Sequence, residues 1–408
     1  MTNNTLYISF DGLSDPLGRS QIIPYLTGIA DADFRITVLS CEKKDRMTED
    51  GASVKSILDK FGIKWEHIRY EEEGGFLSRY NYLKELTTIA EKLHATHQFK
   101  LVHCRSYLTA LIGLHFKRKF KVPFVFDMRG LWADERIDGK IWNKRNLLHF
   151  LAFSYFKKKE KEFFRECDAL ISLTQRGSSF IDTQFSNFHI KEKTTVIPCC
   201  TDTGHFSRGN NSTPDLGYSP SDHVLLYSGS IGTWYNTSEM IDCVCAWKKF
   251  IPRLKLLIIT KDHSALQKIL KERTEDEQAM IKTVSVNYSE MPLYMQVAKA
   301  SIFFIKPAHS KIASSPTKMA ECWSMGLPII TNKGIGDNDH FIIKEKGGIL
   351  IDDFTKESYE SACKEYLNFH VNASELRKIA LHYFDNKDAA KKYVSVYQTV
   401  ISKCSPQK

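Results

Sequence analysis

Short apolar runs alternate with longer segments of helical periodicity through the first half of the chain. Because strands that alternate with helices form parallel sheets covered on both faces, this pattern predicts a doubly wound α/β domain. The predicted strands are rich in β-branched and aromatic residues. They are LYISF (6–10), ITVLS (36–40), IKWEHI (63–68), LVHC (101–104), PFVFDM (123–128), ALISL (169–173) and TTVIP (194–198).

A stretch rich in Gly, Ser, Asn and Pro at 201–222 interrupts this alternation and predicts a domain boundary. The alternation then restarts, which predicts a second doubly wound domain. Its strands are expected at 223–230, 254–260, 282–286, 301–306, 327–331 and 347–352. We therefore expect an N-terminal α/β domain at 1–205, a linker at 206–222, a C-terminal α/β domain at 223–370 and helices at 371–408. The carboxyl ends of two such sheets can face each other across a ligand-binding cleft.

Composition agrees with a protein that folds throughout. The chain has 408 residues, of which 42% are hydrophobic and 26% charged, as in ordinary globular proteins. No run approaches the roughly 18 apolar residues of a membrane span, and the N-terminus does not resemble a signal peptide, so we expect a cytoplasmic protein. The net charge of +9 favours an anionic partner, which could be nucleic acid, a nucleotide or an anionic lipid surface.

Basic and apolar residues are concentrated at 140–164, KIWNKRNLLHFLAFSYFKKKEKEFF. This pattern predicts a basic amphipathic helix that docks on a membrane surface. A buried helix with a solvated, lysine-rich end at KKKEK explains the same pattern, and the sequence leaves both interpretations open.

The stretch SSPTKMAECWSMGLPII, residues 314–330, has the features of a helix N-terminus that binds a nucleotide. Pro316 suits the first helical turn, and a serine before it suits the cap. Free backbone N–H groups and Lys318 would favour a phosphate, while Glu321, one turn deeper, could accept two hydrogen bonds from a ribose diol. An ordinary capped helix with a solvent-facing Lys and Glu is the alternative.

This stretch resembles the donor-nucleotide signature of retaining GT-B glycosyltransferases, especially the subgroup that builds bacterial surface polysaccharides. In that family a glutamate holds the ribose of the sugar nucleotide and a Gly-x-Pro-aliphatic run follows it. Here those positions are Glu321, Gly326, Pro328 and Ile329. Eight residues before Glu321, where the family usually has a second glutamate, this chain has Ala313. The resemblance therefore leaves the identity of the donor sugar more open.

Two glycine-containing stretches extend the resemblance. FDGLSDPLGRSQIIPYL (10–26) and YSGSIGTWYN (227–236) are similar to the first loops of the two family domains, and Gly18 is the expected phosphate contact in the first. Many relatives carry Arg and Lys after the second loop, whereas Trp234, Tyr235 and Asn236 follow here. The resemblance therefore implies that Lys306, Lys318 or Lys261 supplies the positive charge that binds the donor diphosphate. The implied donor-binding residues are Gly18, Gly229, Ser230, Lys306, Ser314, Ser315, Pro316, Thr317 and Glu321.

Charged residues also follow the fourth and fifth predicted strands, in HCRSYL (103–108) and FDMRGLWADER (126–136). In the family this face holds the acceptor and the reacting sugar, although a lone His or Asp at a strand end is more often structural. The resemblance implies a catalytic set and an acceptor-side set. The first is Lys318, Asp127, His103 and Arg129, and the second is Arg19, Arg105, Asp134 and Glu135.

The resemblance implies a hexosyl- or N-acetylhexosaminyltransferase of surface polysaccharide biosynthesis. It would move a sugar, with retention, from a UDP-linked donor to a lipid-linked or glycan acceptor. Neither metal nor cofactor is expected, because N–H groups and lysines would stabilise the leaving diphosphate. Contact of 140–164 with the anionic inner face of the membrane is expected, and nucleic-acid binding is not. The family also packs its C-terminal helices on the first domain. A non-catalytic sugar-nucleotide-binding subunit and a sugar-nucleotide 2-epimerase remain alternatives.

Overall fold

The computed structural model describes residues 3–71, 75–209 and 212–404. It contains two compact α/β units. The first unit ends at Cys200 and resumes at Asn386, and the second is Thr201–Asp385. Each unit is built on one parallel sheet, so the predicted fold class is confirmed.

The sheet of the first unit has the strand order β3-β2-β1-β4-β5-β6-β7. The central strands β4 and β5 are buried at every position, as expected for a sheet covered on both faces. The order reverses between β1 and β4, so the loops after these two strands lie at the switch point. The strands are β1 (Asn3–Ser9), β2 (Phe34–Lys43), β3 (Lys64–Tyr70), β4 (Leu101–Arg105), β5 (Phe124–Asp127), β6 (Ala169–Ser172) and β7 (Thr194–Val196).

The sheet of the second unit has the strand order β10-β9-β8-β11-β12-β13, with its switch point between β8 and β11. Each strand falls on one of the predicted apolar runs. The strands are β8 (His223–Ser228), β9 (Leu254–Ile259), β10 (Ile281–Val284), β11 (Ala300–Ile302), β12 (Ile329–Asn332) and β13 (Gly348–Ile351).

Helices connect the strands and cover both sheets, and the described residues include short 3-10 turns at Ser186–Phe188, Tyr288–Glu290 and His309–Ala313. The helices of the described residues are α1 (Pro16–Gln21), α2 (Ile23–Ala30), α3 (Lys44–Lys60), α4 (Gly75–His97), α5 (Ser106–Phe120), α6 (Trp132–Asp138), α7 (Leu147–Glu166), α8 (Gln175–Gln184), α9 (Ile190–Lys193), α10 (Thr237–Trp247), α11 (His263–Leu270), α12 (Glu275–Ala279), α13 (Met291–Met295), α14 (Thr317–Ser324), α15 (Asn338–Glu345), α16 (Lys356–Leu367), α17 (Ala373–Phe384) and α18 (Asn386–Cys404).

The unit boundaries differ from those expected from the sequence. The predicted linker at 206–222 lies within the second unit, where Phe206 and Leu216 join the hydrophobic core. Helix α17 packs against α14 in the second unit, whereas α18 packs against α2 in the first. The chain therefore re-enters the first unit at Asn386, not at residue 371, because the apolar face of α17 is already buried in the core of the second unit, where the helix packs against α14.

Candidate active site

The loop after β8, residues 229–236, is fixed in place by backbone hydrogen bonds to neighbouring segments. The Gly229 N–H donates to the Ile259 carbonyl at 2.9 Å, and the Asn236 N–H donates to the Phe304 carbonyl at 3.0 Å. The Lys306 N–H donates to the Trp234 carbonyl at 2.8 Å. The loop thus lies against the segment that follows β11, at the switch point where parallel sheets bind ligands.

Strand β11 ends earlier than the apolar run at 301–306 predicted, because residues 304–306 pair with this loop instead of continuing the ladder. Ile305 forms an isolated antiparallel bridge with Tyr235. The Ile305 N–H also donates to the Asn332 side-chain oxygen at 2.8 Å, which ties the segment to the end of β12. The predicted donor residue Lys306 is therefore half-buried beside the loop after β8.

Helix α14 begins at Thr317, and Pro316 in the cap position makes no side-chain cap hydrogen bond. The expectation that Pro316 lies inside the first turn, with Ser314 or Ser315 as the cap, is wrong by one residue. Both serines lie half-buried in the connection that follows the 3-10 turn at 309–313. The first turn of a helix directs its backbone N–H groups outward from the helix start, where an anion is stabilised.

Lys318 is buried on the face of an aromatic side chain. Its Nζ lies 3.8 Å from the ring centroid of Tyr235 and 5.6 Å from that of Tyr227, a cation–π arrangement, and 7% of the residue is exposed. Gly229 lies directly beside it: a Cβ added at Gly229 would come within 2.6 Å of Lys318 Nζ, and φ at this glycine is 141°. The two separate sequence motifs therefore meet at one lysine.

A second lysine, which the sequence analysis did not select, is held in the same way. Lys311 is buried, and its Nζ lies 3.5 Å from the ring centroid of Trp234. Trp234 and Tyr235 thus hold lysines that come from another segment of the chain. These two aromatic residues occupy the positions after the glycine loop at which many members of the resembled family carry Arg and Lys. Lys311 lies outside the stretch at 314–330, and nothing in its sequence position indicated that it would contact Trp234.

Glu321 is half-buried one turn below Lys318. Burial raises the pKa of its carboxyl above the usual value, and the charge of Lys318 opposes this rise. Ala313, where the family has its second glutamate, is fully buried. Ser230 is exposed, and its carbonyl accepts a 2.5 Å hydrogen bond from the Tyr227 hydroxyl. Glu321 is thus the carboxylate of α14 that a ribose could meet.

Gly326 explains why a buried strand follows α14 so closely. It has φ of 66°, which glycine adopts without strain, directly after the C-cap residue Met325. The Leu327 N–H donates to the Cys322 carbonyl at 2.8 Å and closes the helix. The chain then turns directly into β12, which begins at the buried Ile329.

In the first unit, the loop after β1 is fixed by a buried carboxylate that the sequence analysis did not select. Glu42 accepts hydrogen bonds from the Leu13 N–H at 2.7 Å and from the Ser14 N–H at 3.1 Å. Gly18 lies in α1 against this loop, and a Cβ there would come within 2.1 Å of the Gly12 carbonyl oxygen. This close approach is sufficient to explain why position 18 is a glycine. The role of Gly18 in binding a phosphate stays a prediction.

His103 and Asp127 lie in a buried network that α18 covers. The Tyr397 hydroxyl is 2.8 Å from His103 Nδ1, and the Tyr393 hydroxyl donates to Asp127 Oδ2 at 3.1 Å. His103 Nε2 is 3.4 Å from Asp127 Oδ2, and neither side chain is exposed by more than 1%. This burial favours a structural role for His103 and Asp127, and their direct catalytic role stays a prediction.

Two arginines adjoin this network. Arg105 is buried, with Nε 3.3 Å from Asp11 Oδ2 and Nη1 4.0 Å from Asp127 Oδ2. Arg129, in the left-handed region with φ of 59°, places Nη1 3.8 Å from Asp127 Oδ1 and donates to Cys199 Sγ at 3.2 Å. Burial alone would raise the pKa of Asp127, but Arg129, His103 and Arg105 together lower it to about 2.

The remaining acceptor-side candidates are engaged in contacts within the first unit. Arg19 forms an ion pair with Asp50 of α3. Asp134 accepts from Lys157 Nζ at 2.8 Å. Glu135 lies in the first turn of α6, with its carboxylate near Gly130. A role at the acceptor stays a prediction for all three.

The basic stretch at 140–164 forms a non-helical segment followed by α7, and its lysines differ from the expected pattern. Lys157 pairs with Asp134 and Glu160, and Lys159 pairs with Glu162. Apolar residues are 45–70% exposed at the start of α7 and just before it, at Ile141, Leu147, Leu148, Phe150, Leu151 and Tyr155. The same stretch carries exposed cations at Lys140, Lys144, Arg145 and Lys158.

One known protein family matches part of the chain in sequence. Residues 26–205 match the sequence model of Glycosyltransferase Family 4, which covers less than half of the chain. No curated protein is similar enough in sequence to give a significant match. The family match thus covers most of the first unit and stops before the nucleotide motif of α14.

Comparison with solved structures covers both units. Sucrose-phosphate synthase from Thermosynechococcus elongatus is similar at a TM-score of 0.72 and 13% identity, over 98% of this chain and 100% of that one. HepE from Anabaena, solved with UDP and glucose, is similar at 0.66 and 13% identity, over 97% and 99%. A putative UDP-N-acetylglucosamine 2-epimerase from Listeria monocytogenes is similar at 0.59 and 12% identity, over 100% and 99%. The chain therefore has the GT-B fold.

Two further observations concern metals and membranes. No group of three or more His, Cys, Asp or Glu side chains within residues 3–71, 75–209 and 212–404 is arranged to hold a metal ion. In the same part of the chain, no helix combines the length and the apolar character that crossing a bilayer requires. Transfer without a metal or cofactor stays a prediction.

Proposed function

We propose that the protein is a retaining glycosyltransferase that binds a UDP-sugar at the carboxyl edge of the second sheet. The contact of Gly229 with Lys318, at the start of α14 and one turn above Glu321, carries this proposal. The Glycosyltransferase Family 4 match and the GT-B fold support the enzyme class. The fold is shared with an epimerase, but no side-chain observation favours that activity.

The chemistry requires stabilisation of the leaving diphosphate. As the bond from the anomeric carbon to the phosphate oxygen breaks, negative charge grows on the diphosphate. Lys318 and the backbone N–H groups at the start of α14 are held in advance, Lys318 by packing on Tyr235, so they need little reorganisation as this charge appears. Lys311, held on Trp234, is a second cation from the same loop region.

Glu321 supplies recognition of the nucleotide. In its ionised form the carboxylate accepts hydrogen bonds from both ribose hydroxyls, which places the diphosphate next to the start of the helix. This contact is the same in the ground state and the transition state, so it contributes to binding more than to rate. With alanine at position 313, contacts to the transferred hexosyl or N-acetylhexosaminyl group fall to backbone groups or to Ser314 and Ser315.

The acceptor is proposed to be a lipid-linked or glycan intermediate of surface polysaccharide synthesis. The apolar patch at the start of α7, with exposed cations in the same stretch, supports peripheral contact with an anionic membrane. Apolar side chains would enter the headgroup boundary while lysines stay beside lipid phosphates, at roughly 1 kcal/mol per basic residue. Such a location would bring the enzyme to a lipid-linked acceptor.

The direct test is transfer from a radiolabelled donor. Purified protein is incubated with UDP-, GDP- and dTDP-sugars and a membrane extract that contains lipid-linked acceptors, with and without a chelator. The proposal expects incorporation from one UDP-sugar that is unchanged by the chelator. Binding of a UDP-sugar without turnover would support the non-catalytic subunit instead, and interconversion of UDP-sugars without acceptor would support the epimerase.

A further inference from the structure

Four buried polar atoms at the ends of β4 and β5 have no hydrogen-bond partner among the described residues. They are His103 Nε2, Arg105 Nη1, Asp127 Oδ1 and Arg129 Nη1. Buried polar atoms are rarely left unpaired in folded proteins, because each one carries a desolvation cost. Four of them in one cluster therefore indicate that a polar group binds between these side chains.

The charges in this cluster indicate what kind of group it is. Arg105 and Arg129 are cationic, and Asp127 is the buried anion beside both, at distances of 4.0 and 3.8 Å that are too long for hydrogen bonds. Burial lowers the pKa of His103, and Asp127 opposes that shift, so the imidazole stays neutral near pH 7. Two buried guanidinium groups thus face one buried carboxylate, and the only other carboxylate paired with them among the described residues, that of Asp11, reaches Arg105 from a half-exposed position.

Asp11 marks the side from which a ligand can enter. Its carboxylate is 3.3 Å from Arg105 Nε, and its side chain is 46% exposed, so it screens one side of the guanidinium only partly. Arg129, in its left-handed conformation, is the other partly exposed member of the cluster. Residues held in that region by their surroundings are concentrated at ligand sites. An oxyanion that displaces the Asp11 carboxylate would meet the guanidinium of Arg105, which lies beside Asp127 as the guanidinium of Arg129 does.

We propose that Arg105 and Arg129 bind an oxyanion carried by a substrate of this enzyme. Guanidinium groups recognise carboxylate and phosphate oxygens through paired N–H donors, and the unpartnered Nη1 atoms supply such donors here. This inference rests on the proposed function, because that function determines which molecule carries the oxyanion. The oxyanion is the phosphate of a lipid-linked acceptor or the carboxylate of an acidic sugar.

Inorganic phosphate is the probe that tests the site. Thermal unfolding of the full chain is followed as phosphate replaces chloride at constant ionic strength, so that screening does not change. A ligand that binds only the folded state raises the melting temperature in a saturable manner. We expect this rise in the parent protein and in Arg118→Gln, a surface control that removes an exposed arginine of the same unit.

Two substitutions separate this site from the donor site. Because the proposed donor site can also bind phosphate, the comparison is made in Lys318→Ala: this variant should keep the phosphate effect, whereas Lys318→Ala combined with Arg105→Gln should lose it. If Arg105→Gln does not fold, Asp127→Asn decides, because it removes the anion that competes for both guanidinium groups and should tighten phosphate binding about tenfold. Absence of a saturable rise, loss of the rise in Lys318→Ala, or unchanged affinity in Asp127→Asn would overturn the proposal.

Further arms distinguish the two sources and the two hypotheses. Glycerol phosphate and glucuronate are titrated separately. If glycerol phosphate requires Arg105 and saturates at the lower concentration, the site binds the acceptor phosphate. If glucuronate does so, the site binds the sugar carboxylate. Phosphate binding that depends on Arg105 can persist in a protein that transfers no sugar. In that case the proposed function fails and the oxyanion site stands.

Discussion

At the scale of single residues, we expect donor binding to depend on the contact between Gly229 and Lys318. Gly229→Ala places a Cβ within 2.6 Å of Lys318 Nζ, in a backbone conformation with φ of 141° that alanine rarely adopts. We expect lower stability, by about 1–3 kcal/mol, together with weaker UDP-sugar binding. Gly232→Ala is the matched control, since its φ is 83° but nothing lies within 4 Å. Equal loss of binding in both variants would mean that strain alone, not displacement of Lys318, causes the effect.

Glu321 gives the binding a pH dependence. Its raised pKa means that the protonated form persists above the ordinary value of 4.5, and a protonated carboxyl accepts fewer hydrogen bonds from the ribose. UDP-glucose binding, measured by calorimetry from pH 8 to pH 5, should weaken as the pH falls through this raised pKa. Glu321→Gln should bind weakly at every pH with a flat profile. A parent profile as flat as that of the variant would remove Glu321 from the ribose site.

At the scale of helices and strands, α18 is bound to the first sheet through polar contacts as well as apolar ones. Tyr397→Phe keeps the ring but removes the hydroxyl that meets His103 Nδ1, which leaves a buried nitrogen without its partner. The free energy of unfolding should fall by about 1–3 kcal/mol. Denaturant unfolding measures this, with Tyr80→Phe on the exposed surface of α4 as the control. Equal stability of the two variants would contradict the network described for α18.

Periodicity identified the strands, because the apolar run of a strand depends on local sequence. It missed the partners of Tyr393 and Tyr397, since Asp127 and His103 lie far away along the chain and only the fold brings them together. The same holds for Lys311, whose importance depends on the position of Trp234. Sequence therefore predicted the motif around Lys318, but not the aromatic rings that hold it.

The start of α7 gives a prediction about membranes. Substitution of four exposed cations by glutamine should release the protein from vesicles that contain anionic phosphatidylglycerol, because the attraction scales with the number of basic residues. The four are Lys140, Lys144, Arg145 and Lys158. Lys157→Gln with Lys159→Gln is the control, since these lysines are paired with carboxylates and should contribute little. The measurement is co-sedimentation.

Salt provides a second check on this interaction. The electrostatic part should weaken between 0.1 M and 1 M salt, as the Debye length falls from about 10 Å to about 3 Å. Equal sedimentation of the fourfold variant and the parent, or no binding by the parent, would contradict membrane docking. In that event the exposed apolar patch would need another partner.

At the scale of the whole molecule, fold and function were predictable to different degrees. Two parallel sheets follow from two series of strands alternating with helices, and both are present. The boundaries were predicted less well, because a stretch rich in glycine and serine can still bury residues such as Phe206 and Leu216 in a core. Donor and acceptor identity depend on a few side chains that the shared fold does not specify.

The central claim is that Lys318 acts on the leaving diphosphate while Glu321 holds the ribose. The measurement is steady-state transfer together with donor binding for Lys318→Ala and Glu321→Ala, with the exposed Lys364→Ala as the control. We expect Lys318→Ala to lower kcat about a hundredfold with a small change in donor Kd, because a contact that strengthens in the transition state affects rate. Glu321→Ala should raise donor Kd about tenfold or more at a similar kcat. Parent-like turnover and affinity in both variants would contradict the account.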